Sequence, residues 1–106
     1  VITEQRKSAR KVVKTKATLV VEGQGAIQGR TTDLSADGIS VSFPDPLAAG
    51  QAGQIKFDLF VDGKLTAITA RAKAQYCIFS QGEFKVGFQF VNLDLASMSA
   101  ISRFLR

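Results

Sequence analysis

Along most of the chain, hydrophobic and polar positions alternate with a period of two, the mark of strands that bury one face. Residues 12–22, VVKTKATLVVE, are rich in β-branched side chains and run into the turn-prone Gly23-Gln24-Gly25, which predicts a first strand. Residues 26–32 make a second, more polar strand that ends at Asp33-Leu34-Ser35-Ala36-Asp37-Gly38, a turn by composition. In a third, Ile39, Val41 and Phe43 alternate with Ser40 and Ser42; residues 44–53, with two prolines and two glycines, then form a loop. Ile55, Phe57, Leu59 and Val61 alternate with Lys56, Asp58 and Phe60 ahead of Asp62-Gly63, a strong hairpin signal. A long strand from Leu65 to about Phe79 places Ile68, Ala70, Ala72, Ala74, Tyr76 and Ile78 on one face. Thr69, Arg71, Lys73 and Gln75 fall on the other. Small alanines on an inward face suit a tightly curved barrel. Gln81-Gly82 turns the chain into Phe84, Val86, Phe88 and Phe90, again alternating.

The last residues change period. Asp94 is placed as an N-cap, Leu95, Met98, Ile101 and Leu105 make a helical stripe, and Arg103 and Arg106 suit the negative end of a helix dipole. Short, sequential, hairpin-linked strands favour antiparallel pairing. The expectation is an all-β fold with one C-terminal helix, a six-stranded antiparallel barrel. Residues 1–14 would be a basic N-terminal arm, residues 15–93 the barrel and residues 94–106 the helix, together a single domain.

Composition narrows the function. A chain of 106 residues is one domain's length. Without histidine there is no Ser-His-Asp triad, no Cys-His dyad and no imidazole metal ligand. The lone Cys77 excludes a disulfide framework or thiolate zinc site within the chain, and its place on the outward register of its strand gives it an incidental role. A single unpaired cysteine fits a reduced, cytoplasmic setting. No run approaches the roughly 18 consecutive apolar residues of a membrane span. The start at Val1 fits a piece of a longer protein, such as the cytoplasmic domain of one. Phosphate-cradling and nucleophile-elbow motifs are absent, so no catalytic or metal-binding residue and no cofactor is expected, and the chain reads as a non-enzyme.

Charge is concentrated. Residues 1–16 hold Arg6, Lys7, Arg10, Lys11, Lys14 and Lys16 against Glu4, whereas the other 90 residues balance eight basic against eight acidic side chains. A neutral body with a basic arm points to a polyanionic partner: nucleic acid, a phosphate-rich small molecule or an anionic lipid surface. Phe57, Phe84, Phe88 and Phe90 fall in the inward register and read as core rather than base-stacking residues. Phe60 and Phe79 fall outside it and are free to cover the helix or a partner. Against this background stand two short motifs: RxxxR from Arg6 to Arg10, and DxSxxG at Asp33, Ser35 and Gly38. Each spacing alone is common; the pair, about two dozen residues apart and flanking the first two strands, is specific.

This combination resembles the PilZ domain, a bacterial receptor module for the second messenger cyclic di-GMP, over nearly the whole chain, including Phe84-Lys85-Val86-Gly87-Phe88-Gln89-Phe90 and the closing helix. The resemblance implies a cyclic di-GMP site at Arg6, Arg10, Asp33, Ser35 and Gly38, with Gln5, Lys7 and Lys11 as secondary contacts. Lys7 departs from the family, many members of which carry a further arginine there; lysine keeps the charge without the bidentate fork. The chemistry fits the residues. Guanine's O6 and N7 accept two bonds from an arginine fork, as phosphate oxygens do. Asp33 can take the N1–H and N2–H donors of the opposite edge, and Ser35 can bond base or backbone. Gly38 would permit a positive φ or a close approach of ligand to backbone. Turn capping is the plainer role for Asp33 and Ser35. Residues 4–11 lack an apolar pattern, which suggests an arm that ligand folds over the barrel, changing the surface shown to an adjacent domain or a downstream effector protein. Two alternatives are a barrel that binds nucleic acid, which the motifs disfavour, and a ligand-independent interaction module.

Overall fold

The computed structural model describes residues 10–21 and 25–106. Gln5, Arg6 and Lys7 therefore lie outside the described residues, as does most of the turn expected at residues 23–25.

Among the described residues, seven strands and one helix follow in order: β1 (Lys11–Val12), β2 (Lys16–Val21), β3 (Gly25–Leu34), β4 (Gly38–Phe43), β5 (Ala52–Val61), β6 (Lys64–Ser80), β7 (Glu83–Asn92) and α1 (Leu95–Leu105). The sheet order β3-β2-β5-β6-β7-β4 closes on itself through the β3–β4 pairing, every contact antiparallel, so six strands make a closed barrel. Closure leaves no long unpaired edge, which spares a small all-β domain the hazard of edge-to-edge association. The two-residue β1 pairs with the end of β3 as an appendage.

The alternation does what it predicts. Leu19, Ile55, Leu59, Val41, Ile68 and Val86 are at most 1% exposed and meet in the barrel lumen, together with the small Ala70, Ala72 and Ala74 of β6. Phe57 and Phe88 are buried and Phe84 and Phe90 half-buried, whereas Phe60 and Phe79 lie largely in solvent. Asp62 and Gly63, at φ 51° and 79°, form the two-residue hairpin turn between β5 and β6, and Gln81 and Gly82 repeat it between β6 and β7.

Three expectations need correction. The single strand over residues 12–22 is broken at residues 13–15, where buried Thr31 fastens the bend: its hydroxyl donates to the Val13 carbonyl at 2.6 Å and accepts from the Thr15 amide at 2.8 Å. Tyr76 and Ile78 do not continue the inward face of β6. An extra residue, Gln75, sits between Ala74, opposite Phe88, and Tyr76, opposite Gly87. This bulge turns Tyr76 and Ile78 outward and Cys77 toward the core. On α1, Ile101 is buried and Leu105 packs against the core as expected, but Leu95 and Met98 are 81% and 45% exposed, and Ser97 and Ala100 complete the buried face. The helix does start where expected, with Asp94 accepting from the Ser97 amide at 2.7 Å.

Candidate functional site

The site is assembled by strand pairing at one side of the barrel. Antiparallel pairing sets Lys11 opposite Leu34 and Val12 opposite Asp33, and so delivers Arg10 to the end of β3. There the Arg10 guanidinium and the Asp33 carboxylate form an ion pair at 2.5 Å, and the Lys85 ammonium lies 3.7 Å from the second carboxylate oxygen. Asp33 points outward because β3 carries its own bulge, between Thr31 and Asp33. With Thr31 and Leu34 both buried, strict alternation would have turned Asp33 inward; the extra residue restores the core face at Leu34 and frees Asp33 for the surface.

Ser35 serves the turn. The residue is 3% exposed; its hydroxyl accepts from the amides of Asp37 and Gly38 at 3.3 and 3.2 Å, and its own amide donates to the Gly38 carbonyl at 2.9 Å. The Asp37 carbonyl in turn accepts from the Phe90 amide at 2.8 Å, which ties the turn to β7. Gly38 is not needed for a positive φ, since its backbone is outside that region. It is needed because a Cβ there would lie 2.1 Å from the Phe88 carbonyl oxygen. The close approach is of β7, not of an open surface.

Beside this turn lies a hollow of about 290 Å³. Arg10, Ser35, Gly38 and Ser40 line one side, and Gln75, Tyr76 and Gln89 the other. The Tyr76 ring lies over Gly87, where a Cβ would come within 2.2 Å of it, and its hydroxyl is 3.4 Å from that of Ser40. The Gln75 amide donates to the Gln89 side-chain oxygen at 3.1 Å. Sequence reasoning set Tyr76 in the core because the bulge at Ala74–Tyr76 is not visible in the alternation; Gln75 and Gln89 lay on outward registers but belonged to no motif that pointed to a site. Lys11 is placed elsewhere: its ammonium donates to the Phe104 and Arg106 carbonyls at 2.9 and 3.3 Å and stands 5.3 Å from the Phe104 ring centre. It caps the helix C-terminus rather than lining the hollow.

Taken as chemistry, the hollow offers the planar donor fork of Arg10, an aromatic face and two amides, and the Asp33 carboxylate paired with Arg10, with the Lys85 ammonium behind it, adds an acceptor and a cation next to it. Groups of these kinds are the ones that a flat, polar, anionic molecule would pair with. Among the described residues no cluster of three or more His, Cys, Asp or Glu side chains could hold a metal ion. No described helix is long and apolar enough to cross a membrane.

A family model described as "PilZ domain" matches residues 4–106. No curated protein sequence matches the chain. Among solved structures, the inhibitor of motility MotI/DgrA of Bacillus subtilis superposes with a TM-score of 0.82 at 16% identity, over 93% of this chain and 48% of its own. The PilZ domain of Escherichia coli YcgR, solved with c-di-GMP, gives 0.76 at 15% identity over 96% of this chain and 89% of its own. The Klebsiella pneumoniae protein MrkH, solved as a complex with c-di-GMP, gives 0.73 at 14% identity over 98% of this chain and 52% of its own. The chain thus spans about half the length of MotI/DgrA and MrkH.

Proposed function

The chain belongs to the PilZ domain family, and we propose that it is a receptor for cyclic di-GMP that binds at the hollow beside Arg10 and Asp33. The observation that carries this reading is the ion pair between Asp33 and Arg10, 23 residues apart in sequence, with Arg10 lining the hollow. They supply the fork and the acceptor that the two edges of a guanine require. Arg10 takes O6 and N7, or a phosphate oxygen; Asp33 takes N1–H and N2–H. Ser35 and Gly38 hold the turn against β7 so that Asp33 is fixed, and Arg6 adds the second arginine. Tyr76 offers a face on which a base can stack, a contact worth roughly 1–3 kcal/mol in single-stranded nucleic-acid sites.

Binding by residues on the arm would draw it against the barrel and alter the surface beside it, which is the signal to an adjacent domain or effector protein. The module performs no chemistry in this account and needs no cofactor. The receptor reading sets it in the bacterial cytoplasm, where the messenger is made.

Calorimetric titration of the parent and Arg10→Ala with cyclic di-GMP tests the site. Losing a guanine fork costs roughly 1–3 kcal/mol, about 5- to 150-fold in affinity. Arg10→Lys should also lose affinity, because an ammonium cannot make the two-pronged contact. Titrations that overlay the parent's, with melting temperatures unchanged, would refute the assignment of Arg10.

A further inference from the structure

One short edge survives barrel closure. The first part of β6 pairs with β5 as far as Lys73, opposite Ala52, and its last part with β7 as far as Ser80, opposite Glu83. On the side away from β7, the last backbone partners of β6 are Gly50 and Gln51, which bond the Ala74 carbonyl and amide at 2.7 and 2.8 Å. Beyond them, among the described residues, no backbone bond reaches that side of Tyr76 to Ser80. Ladder parity says which groups are free. The residues flanking a two-residue hairpin turn exchange both bonds, so Ser80 faces Glu83, and Ile78 and Tyr76 face β7 with it. Cys77 and Phe79 therefore aim their amides and carbonyls away from β7. The bulge at Gln75 gives the same answer from the other end, since it moves the side served by Ala74 onto Cys77. Ile78 and Phe79 are 53% and 65% exposed. The run Tyr76-Cys77-Ile78-Phe79-Ser80 holds neither charge nor proline, the devices that keep an edge solitary; the loop leaving β4 has both, in Pro44, Asp45 and Pro46.

We propose that this edge pairs with the same edge of a second copy of the chain, in a twofold dimer whose barrels share antiparallel sheet at the end of β6. Symmetry fixes the register. With Ile78 on the axis, Cys77 of each copy meets Phe79 of the other in a hydrogen-bonded pair, which uses every free group of both edges. Centring on Cys77 or on Phe79 keeps only half of those bonds. The side chains agree with the first register. On the inner face, Phe79 lies between its own Phe84, 5.1 Å away between ring centres, and the second copy's Cys77, which covers the exposed ring. On the outer face the two Ile78 side chains meet in a non-hydrogen-bonded pair, the closer kind. Like charges stay apart: Lys85 stands opposite Ile78 on β7, so the two lysines are three strand spacings from each other, about 14 Å. The occupant is a second copy because an uncharged edge is what self-pairing demands, every side chain near the axis being matched with its own kind.

Sedimentation velocity of the full chain tests this. So short an edge buries less than the roughly 1,200 Å² of tight complexes, so a Kd on the order of 100 µM is expected, with the mean mass rising across that concentration. Ile78→Lys sets two ammoniums against each other on the axis and should leave a monomer over the same range. Circular dichroism melts compared with the parent's establish that the variant folds. Cross-linking in a Cys77→Ser background reads the register without relying on that variant. Ile78→Cys should close a disulfide between copies under mild oxidation, since its Cα atoms lie about 4.5 Å apart across the axis. Ser80→Cys is exposed too, but its mates stand four residues out of register, at least about 13 Å apart, and should stay reduced. A parent that remains monomeric up to about 1 mM overturns the proposal and leaves the edge to a strand of another protein. So does a folded Ile78→Lys protein that dimerises like the parent, and so does equal cross-linking through positions 78 and 80.

Discussion

Gly38→Ala tests how the hollow is built. A Cβ at Gly38 would stand 2.1 Å from the Phe88 carbonyl oxygen and 3.2 Å from its carbon, both backbone atoms that no side-chain rotation can move. To regain even the ~3.3 Å of a close C–H···O contact, β4 and β7 must part by about 1 Å. The bond from the Phe90 amide to the Asp37 carbonyl, now 2.8 Å, would then leave hydrogen-bond range. Overpacking costs about 1–3 kcal/mol and a buried group left unpaired about as much, so a loss of about 2–4 kcal/mol is expected. For a domain of this size that lowers the melting temperature by about 10–25 °C, read by far-ultraviolet circular dichroism. Gly87→Ala supplies the contrast. Its Cβ would meet the far end of the Tyr76 ring at 2.2 Å, and that ring can swing aside into solvent. Gly87→Ala should therefore melt within a few degrees of the parent yet bind cyclic di-GMP more weakly, because Tyr76 is displaced. A Gly38→Ala protein that melts like the parent, or a Gly87→Ala protein that melts as low as Gly38→Ala, would refute this reasoning.

Amide exchange from Arg6 to Arg10 should slow when cyclic di-GMP is added, with little change in the barrel strands; equal protection with and without ligand would refute arm closure. Asp94, capping α1, has its carboxyl held below the ordinary 3.8 by the Ser97 backbone bond and then by the Ser97 hydroxyl. A lowered carboxyl stabilises the fold fully above its ordinary value and loses that contribution as pH falls through the lowered one. The Asp94→Ala melting temperature should therefore lie below the parent's at neutral pH, and the gap should close in acid below 3.8. A gap that persists there would show the carboxylate charge to be irrelevant to the cap.

Most of the fold was legible because a closed barrel makes each strand bury one face, and the residues that do so repeat every second position. Ile55 to Val61 and the alanines of β6 are read correctly for that reason. Of the candidate site, the sequence marked Arg10, Asp33, Ser35 and Gly38, which the fold brings near one another, but not its shape. The bulges at Thr31–Asp33 and Ala74–Tyr76 each change the face of every residue beyond them. No local composition marks them, so Tyr76 was set in the core; Gln75 and Gln89 were on outward registers but carried no motif. Lys11 was misread for a different reason. As the neighbour of Arg10 it seemed to share its partner, but consecutive residues of an extended segment point to opposite sides, and Lys11 meets the helix end instead. The helix stripe failed at Leu95 and Met98 because a short helix at a barrel's end buries only the narrow face turned to β5 and β6.

The central claim is that Asp33 and Arg10 read guanine and not merely negative charge. Comparing the parent's affinities for cyclic di-GMP and cyclic di-AMP at physiological salt tests this most directly, since the two share their phosphates and ring. Guanine gives Asp33 two donors on one edge; adenine sets the N1 lone pair against the carboxylate and has no N2 amine. A partly buried acceptor left facing a lone pair costs about 1–3 kcal/mol or more, so cyclic di-GMP should bind at least about tenfold tighter. Asp33→Ala should narrow that gap. Equal affinity of the parent for the two dinucleotides would contradict the account and leave a generic anion site.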